Sequence, residues 1–247
     1  MDHIVEVSPG SASPGSAYDH ACDPLFAPLR APVPVGSSFV LGRVAQSLDG
    51  YIATRDGESV WISGPNDLRH THQLRALCDA VVVGAKTIRA DNPRLTTRLV
   101  DGPSPVRVVI DPDCRLNDTY RVFHDGPETL LLCAPEMASS GCMGAAIVLP
   151  VSRGPTGLDI ESILALLRGR GLRRIFVEGG GVTVSRFLAA GALDRLHVTV
   201  APLVMGGGVP AFPLPPVERL EEGRRFAWTA HRLGADILLD IPLVRAA

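Results

Sequence analysis

The chain has 247 residues, 46% of them hydrophobic and 20% charged, with a formal net charge of −2. This composition supports a globular fold with a sizeable core. It excludes a general attraction to nucleic acid or to an anionic membrane, and no apolar run approaches the roughly 18 residues of a membrane span.

In chain order, residues 1–36 are rich in Ser, Ala, Gly and Pro, and Pro9, Pro14, Pro24, Pro28, Pro32 and Pro34 interrupt any regular element. This stretch is expected to be a flexible arm, ordered at most near Leu25–Leu29, ahead of one domain over 37–247. With Asp2 and Glu6 and no apolar segment it is not expected to act as a secretory signal. Regular structure is expected to begin with a strand over Phe39–Gln46, then a turn at Ser47-Leu-Asp-Gly50 and a short strand at Tyr51–Ala53. Ser63 or Gly64 can cap a helix that opens on Pro65, with Asp67 in its electropositive first turn and Leu68, Leu74 and Leu77 as its apolar stripe. Ala80–Val83 is a continuous β-branched run, as expected of a strand covered on both faces, and Ala85–Ala90 a short helix.

Further strands are expected at Val106–Ile110, Thr129–Cys133 and Ala145–Leu149. Ile160, Ile163, Leu164 and Leu167 recur at helical spacing in Asp159–Arg168. A strand over Ile175–Val177, a helix over Val182–Ala190 and a strand over Leu196–Val200 follow. Phe226–Leu233 and Asp236–Ile241 read as a hairpin around Gly234. The fold class is therefore α/β: a mostly parallel central sheet with flanking helices, closed by a C-terminal antiparallel hairpin.

Ligands of parallel sheets bind beyond the C-terminal ends of the strands. Ser47 and Asp49, Thr87, Asp111, and Glu178 with its glycines each trail a strand, so one sheet edge would gather them. Gly179, Gly180 and Gly181 join a strand to a helix. They form either a plain turn or a corner where the backbone approaches a phosphate and the first helical N–H groups point at it. Arg75, Arg94 and Arg98 are either surface cations or a forked site for a phosphomonoester. Trp61, one of two tryptophans, is either a wall for a ring or part of the core. The five cysteines (Cys22, Cys78, Cys114, Cys133 and Cys142) are scattered, without C-x-x-C, which points to reduced cytoplasmic thiols and away from zinc. His70 and His72 stand two apart on a helix and cannot share a metal.

Six segments in this order carry a resemblance: Arg43–Gly50, Gly57–Gly64, His72–Ala76, Asp79–Gly84, Thr87–Thr96 and Val177–Gly181. Together, over residues 39–241, they are similar to the reductase domain of the bacterial riboflavin-biosynthesis deaminase–reductase. The resemblance implies a dihydrofolate-reductase-like fold, NADPH as cofactor and reduction of 5-amino-6-(5-phosphoribosylamino)uracil to the ribitylamino product. It implies substrate contacts from Ser59, Arg75, Leu95, Arg98 and Glu178. Cofactor contacts would come from Ala45, Trp61, Thr87, Asp91, Gly180, Gly181, Val182, Thr183, Val184, Ser185 and Arg186. A homodimer is a further implication.

On this reading Glu178 binds sugar hydroxyls or the base, and Asp49 or an ordered water relays a proton, which makes Asp49 and Glu178 the catalytic candidates. Arg43 stands where that family usually has lysine, and Tyr51 and Pro112 also depart from its pattern. An arginine keeps the charge but does not titrate as a proton donor. The resemblance leaves two expectations open: either another protein supplies the deamination usual in that family, or the substrate is another ribosylamino-pyrimidine or pterin-like heterocycle. A catalytically silent nucleotide-binding module is the reading from another class, and the convergence of polar residues argues against it.

Overall fold

The computed structural model describes residues 24–60, 62–138 and 143–244. The chain falls into two compact units, Met1–Ala31 and Pro32–Ala247. In the first, a 3-10 turn at Pro24–Phe26 runs into the one-turn helix α1 (Ala27–Arg30).

The second unit is built on a nine-stranded sheet. Seven of its strands are parallel: β1 (Phe39–Ser47), β3 (Ala80–Gly84), β4 (Val106–Ile110), β5 (Thr129–Cys133), β6 (Ile147–Pro150), β9 (Arg174–Glu178) and β10 (Arg195–Ala201). Two more, β12 (Thr229–Leu233) and β13 (Asp236–Pro242), form the C-terminal hairpin, and β13 pairs antiparallel with β10. Across the sheet the order is β12-β13-β10-β1-β9-β3-β4-β5-β6. Two small ribbons lie outside it: β2 (Tyr51–Ala53) with β11 (Val209–Pro210), and β7 (Arg153–Gly154) with β8 (Gly157–Leu158).

The β-branched runs explain the middle of the sheet. Ala80, Val81, Val82 and Val83 are all fully buried, which requires cover on both faces. One face is covered by α4 (Ile160–Gly169) and α5 (Gly181–Ala189). Ile163, Leu164 and Leu167 of the first and Val184, Phe187 and Leu188 of the second join Val40, Val82, Val108, Leu130 and Val177 in one core. Asp159 starts α4 by accepting the Ser162 N–H at 2.8 Å. On the other face lies α2 (Pro65–Leu77), reached by Arg43 and Glu178, which alternate with the core-facing Val44 and Val177; α3 (Ala85–Asp91) follows β3 directly.

The mostly parallel class with its antiparallel end strands is borne out, with small shifts. The expected strand over Ala145–Leu149 starts two residues later, because Gly144 takes a φ of +58° beside the Phe123 carbonyl and Met143–Ala146 close an isolated bridge. The hairpin's first strand starts at Thr229 rather than Phe226. The β2–β11 ribbon was not foreseen. It requires Gly208, where a Cβ would lie 2.1 Å from the Ala53 carbonyl oxygen. No helix among the described residues is long and apolar enough to cross a membrane.

Candidate active site

The C-terminal ends of β1, β3, β4 and β9 open on a cavity of about 870 Å³, in the size range of small-molecule sites. Its glycine corner is tightly drawn. Gly179 and Gly180 have φ of +71° and +29°, and a Cβ at Gly180 would come within 2.7 Å of Thr87 Oγ1. A Cβ at Gly181 would lie 2.4 Å from the Ala211 carbonyl oxygen and 2.7 Å from that of Pro210. No side chain caps α5, which starts there; the Thr183 N–H bonds back to the Gly180 carbonyl at 3.0 Å, and the N–H groups of Gly181 and Val182 keep their capacity for an outside acceptor. The corner is a cradle that side chains would fill, and it suits a phosphate-bearing ligand.

Two buried ion pairs line the same cavity. Arg43 and Glu178 are register neighbours on β1 and β9. Helix α2 supplies the partner of each: Asp67 for Arg43, and Arg75 for Glu178. Arg75 holds both oxygens of Glu178, Nε at 2.8 Å and an NH2 donor at 2.5 Å, and its third nitrogen donates to the Thr96 carbonyl at 3.0 Å. Asp67 also accepts from Ser63 Oγ at 2.5 Å and from Thr199 Oγ1 at 2.7 Å. Arg43 retains a buried Nε without a hydrogen-bond partner.

The two cavity carboxyls Asp91 and Glu178 titrate in opposite directions. Burial raises Asp91, with the nearby Glu178 charge adding to it, against one hydrogen bond from Ser59 Oγ at 3.3 Å. Burial would raise Glu178 too, but the Arg75 guanidinium and its hydrogen bonds outweigh it and hold the carboxyl below its ordinary range. Neighbouring carboxyls pushed apart in this way suit a proton donor beside a permanent anion.

Of the residues singled out in the sequence, Ala45, Ser59, Arg75, Thr87, Asp91 and Glu178 line this cavity. So do Gly180, Gly181, Val182, Thr183 and Arg186. Arg186 donates to the Leu158 carbonyl at 2.6 Å. Val184 and Ser185 lie on the same helix but are buried away from the lining. Leu95 is buried, with a φ of +56°, and does not line the wall. Arg98 also stands off the lining, in the field of Arg75, Arg94 and Glu178. Trp61 lies outside the described residues.

Asp49 stands elsewhere. It does not line the cavity; its carboxylate accepts from Ser47 Oγ at 2.6 Å and from the Met205 and Gly206 N–H groups at 3.1 and 2.6 Å. It ties down the loop at Met205 and Gly206. Sequence reasoning missed the engagement of Asp67 with Arg43, and it missed the ribbon residues Ile52, Ala53 and Val209 on the cavity wall.

Behind Arg43, the imidazoles of His70 and His197 meet at 3.1 Å, and His197 Nε2 lies 3.3 Å from Asp240. Burial lowers the pKa of His70 and His197, and with Arg75 and Arg98 it lowers His72 to about 4. Each depressed imidazole takes up its proton more readily in the unfolded chain, so the stability it contributes is full above about pH 6.5 and lost as pH falls. For His72 that loss runs down to about 4. Asp67, Glu178 and Asp240, all held low, add a loss in the same direction at still lower pH. Thermal melts should therefore show a clear fall in Tm from about pH 7.5 to about pH 5; a flat or rising Tm would contradict the neutral, buried state of these rings.

A similar fold occurs in a solved structure, the diaminohydroxyphosphoribosylaminopyrimidine deaminase/5-amino-6-(5-phosphoribosylamino)uracil reductase of Thermotoga maritima. It superposes with a TM-score of 0.71 at 27% identity, over 85% of this chain and 57% of that one. The fold thus defines a RibD-type α/β domain. Residues 38–232 match the RibD C-terminal domain, and the chain belongs to that family. Among its relatives, the 2,5-diamino-6-ribosylamino-4(3H)-pyrimidinone 5′-phosphate reductase of Methanothermobacter thermautotrophicus is 38% identical, over 68% of this chain and 80% of that protein. The protein of the same name from Archaeoglobus fulgidus is 35% identical, over 68% of this chain and 82% of that protein.

Proposed function

We propose that this chain reduces a ribosylamino-pyrimidine 5′-phosphate in riboflavin biosynthesis, turning the ribose into ribitol at the expense of NADPH. The observation that carries this reading is the convergence of the glycine corner and the Arg75–Glu178 pair on one cavity, in a member of the RibD C-terminal domain family. NADPH, when bound, supplies the hydride that C1′ of the opened sugar accepts. Ala45, Thr87, Asp91 and the segment from Gly180 to Arg186 would hold it, the pyrophosphate against the start of α5.

Ser59, Arg75 and Glu178 take the substrate from the cavity lining, and Leu95 and Arg98, which stand off it, join them from the loop that Arg75 holds at Thr96. Glu178 stays anionic and accepts from sugar hydroxyls. Asp91 gives the proton that the ring oxygen takes as the sugar opens. The chain's main contribution is to position the two reactants and keep them aligned.

Loss of NADPH absorbance on mixing with 5-amino-6-(5-phosphoribosylamino)uracil tests the reading, and NADH should serve less well. A second reading takes the diamino-pyrimidinone as substrate, and the names of the Methanothermobacter and Archaeoglobus relatives favour it. In that case a separate deaminase acts on the product instead of supplying the substrate. No oxidation with either compound would end the proposal.

We also read the protein as a cytoplasmic homodimer. Phe226, Trp228 and Ile237 are exposed apolar residues on or beside the edge hairpin. A monomer in sedimentation at micromolar concentration would count against this.

A further inference from the structure

His72 is 1% exposed, yet it is not simply core. Its Nδ1 accepts the main-chain N–H of Arg98 at 2.9 Å, which fixes the neutral tautomer with the proton on Nε2. One turn further along α2, Arg75 donates to the carbonyl of Thr96 at 3.0 Å. Two side chains of one helix thus grip the same loop, one at a donor and one at an acceptor. The loop between carries Asn92 and Leu95 in the left-handed region, φ of +40° and +56°, a conformation that non-glycine residues hold only when their surroundings fix it. On its far side Ser104 Oγ accepts the Thr97 N–H at 3.0 Å.

We propose that His72 is a positioning residue for substrate: its Nδ1 acceptor sets the Arg94–Arg98 loop, and with it the presentation of the Arg98 guanidinium and the Leu95 backbone to the substrate's 5′-phosphate. This rests on the proposed reductase reading. Burial first, and then the charge around the ring, supports the neutral state. Arg75 from α2 and Arg98 from the loop both oppose a second proton, while Glu178 from β9 favours one and is outweighed.

The test compares His72→Asn, His72→Gln and His72→Leu in steady state with the phosphorylated substrate and its dephosphorylated form. Asparagine places Oδ1 where Nδ1 stood, whereas glutamine reaches only to the Nε2 position. His72→Leu and His72→Gln should raise KM for the phosphorylated substrate about fivefold to tenfold, the worth of one lost hydrogen bond, with kcat and the KM for NADPH little changed. His72→Asn should restore KM. The dephosphorylated substrate should respond to none of the three.

Equal KM values for the asparagine and glutamine variants would overturn the proposal, as would a loss confined to kcat. If the leucine variant fails to fold, the asparagine–glutamine pair still decides. In the wild-type protein, nitrogen NMR should find Nδ1 unprotonated at neutral pH, and a proton there would overturn the inference without any variant. Absence of turnover in the wild type with every substrate sinks the reductase reading instead, and the two failures are thereby distinguishable.

Discussion

Replacing Arg75 with methionine should cost about 3–5 kcal/mol of folding stability, because it strands a buried carboxylate. Arg75 and Glu178 have side chains only 7% and 13% exposed, so water cannot take over the lost interaction. Without the guanidinium, burial is the dominant influence on Glu178, and its pKa should rise above the ordinary carboxylate range. A paired change to Arg75→Met and Glu178→Leu should recover most of the stability while leaving the enzyme without substrate affinity. Urea denaturation of the three proteins checks the first claim, and kcat/KM of the refolded double variant checks the second. A loss below about 1 kcal/mol for the single variant would place the pair in effective contact with solvent.

Gly181→Ala should be the most damaging single methyl in the glycine corner. The new Cβ would meet two backbone oxygens, Pro210 and Ala211, at 2.7 and 2.4 Å. Neither can rotate aside as a flexible side chain would, so either α5 or the segment after β11 must shift. The expected cost is about 1–3 kcal/mol in stability, together with at least about tenfold weaker NADPH binding, since the first-turn N–H groups move with the helix. Gly169→Ala is the control: nothing lies within 4 Å of the added atom, and alanine there should be neutral or stabilising. Calorimetric titration with NADPH reads the binding. Unchanged affinity in Gly181→Ala would mean that the dinucleotide lies elsewhere.

Much of the site was legible because each residue follows a buried run on its own stretch of chain. Thr87, Asp111, Glu178 and Gly180 announce themselves in this way, and the parallel sheet then gathers them; Asp91, at the end of α3, came only with the family resemblance. The same logic does not bring Asp49 to the cavity, for a geometric reason. The last residue of β1 paired with β9 is Arg43, opposite Glu178, whereas β1 runs on beside β10 to Ser47, paired with Ala201. Asp49 is thereby carried past the cavity to the Met205–Gly206 loop. Asp67 was illegible beyond its place in a helical first turn, since its partners lie 24 and 132 residues away, at Arg43 and Thr199. The β2–β11 ribbon escaped because three residues and two, one of them proline, carry no periodicity of their own.

The crossed arrangement of α2 on β1 and β9 has a consequence for how the molecule can change. The helix brings an acid to a strand arginine and an arginine to a strand acid, so it works as a keyed joint with a single seat. Turned end for end, or slid along by two turns, α2 would set Asp67 against Glu178 or Arg75 against Arg43, like charge on like in a dry interior. A graft of this helix into a sister protein should therefore fail unless the two strand residues travel with it.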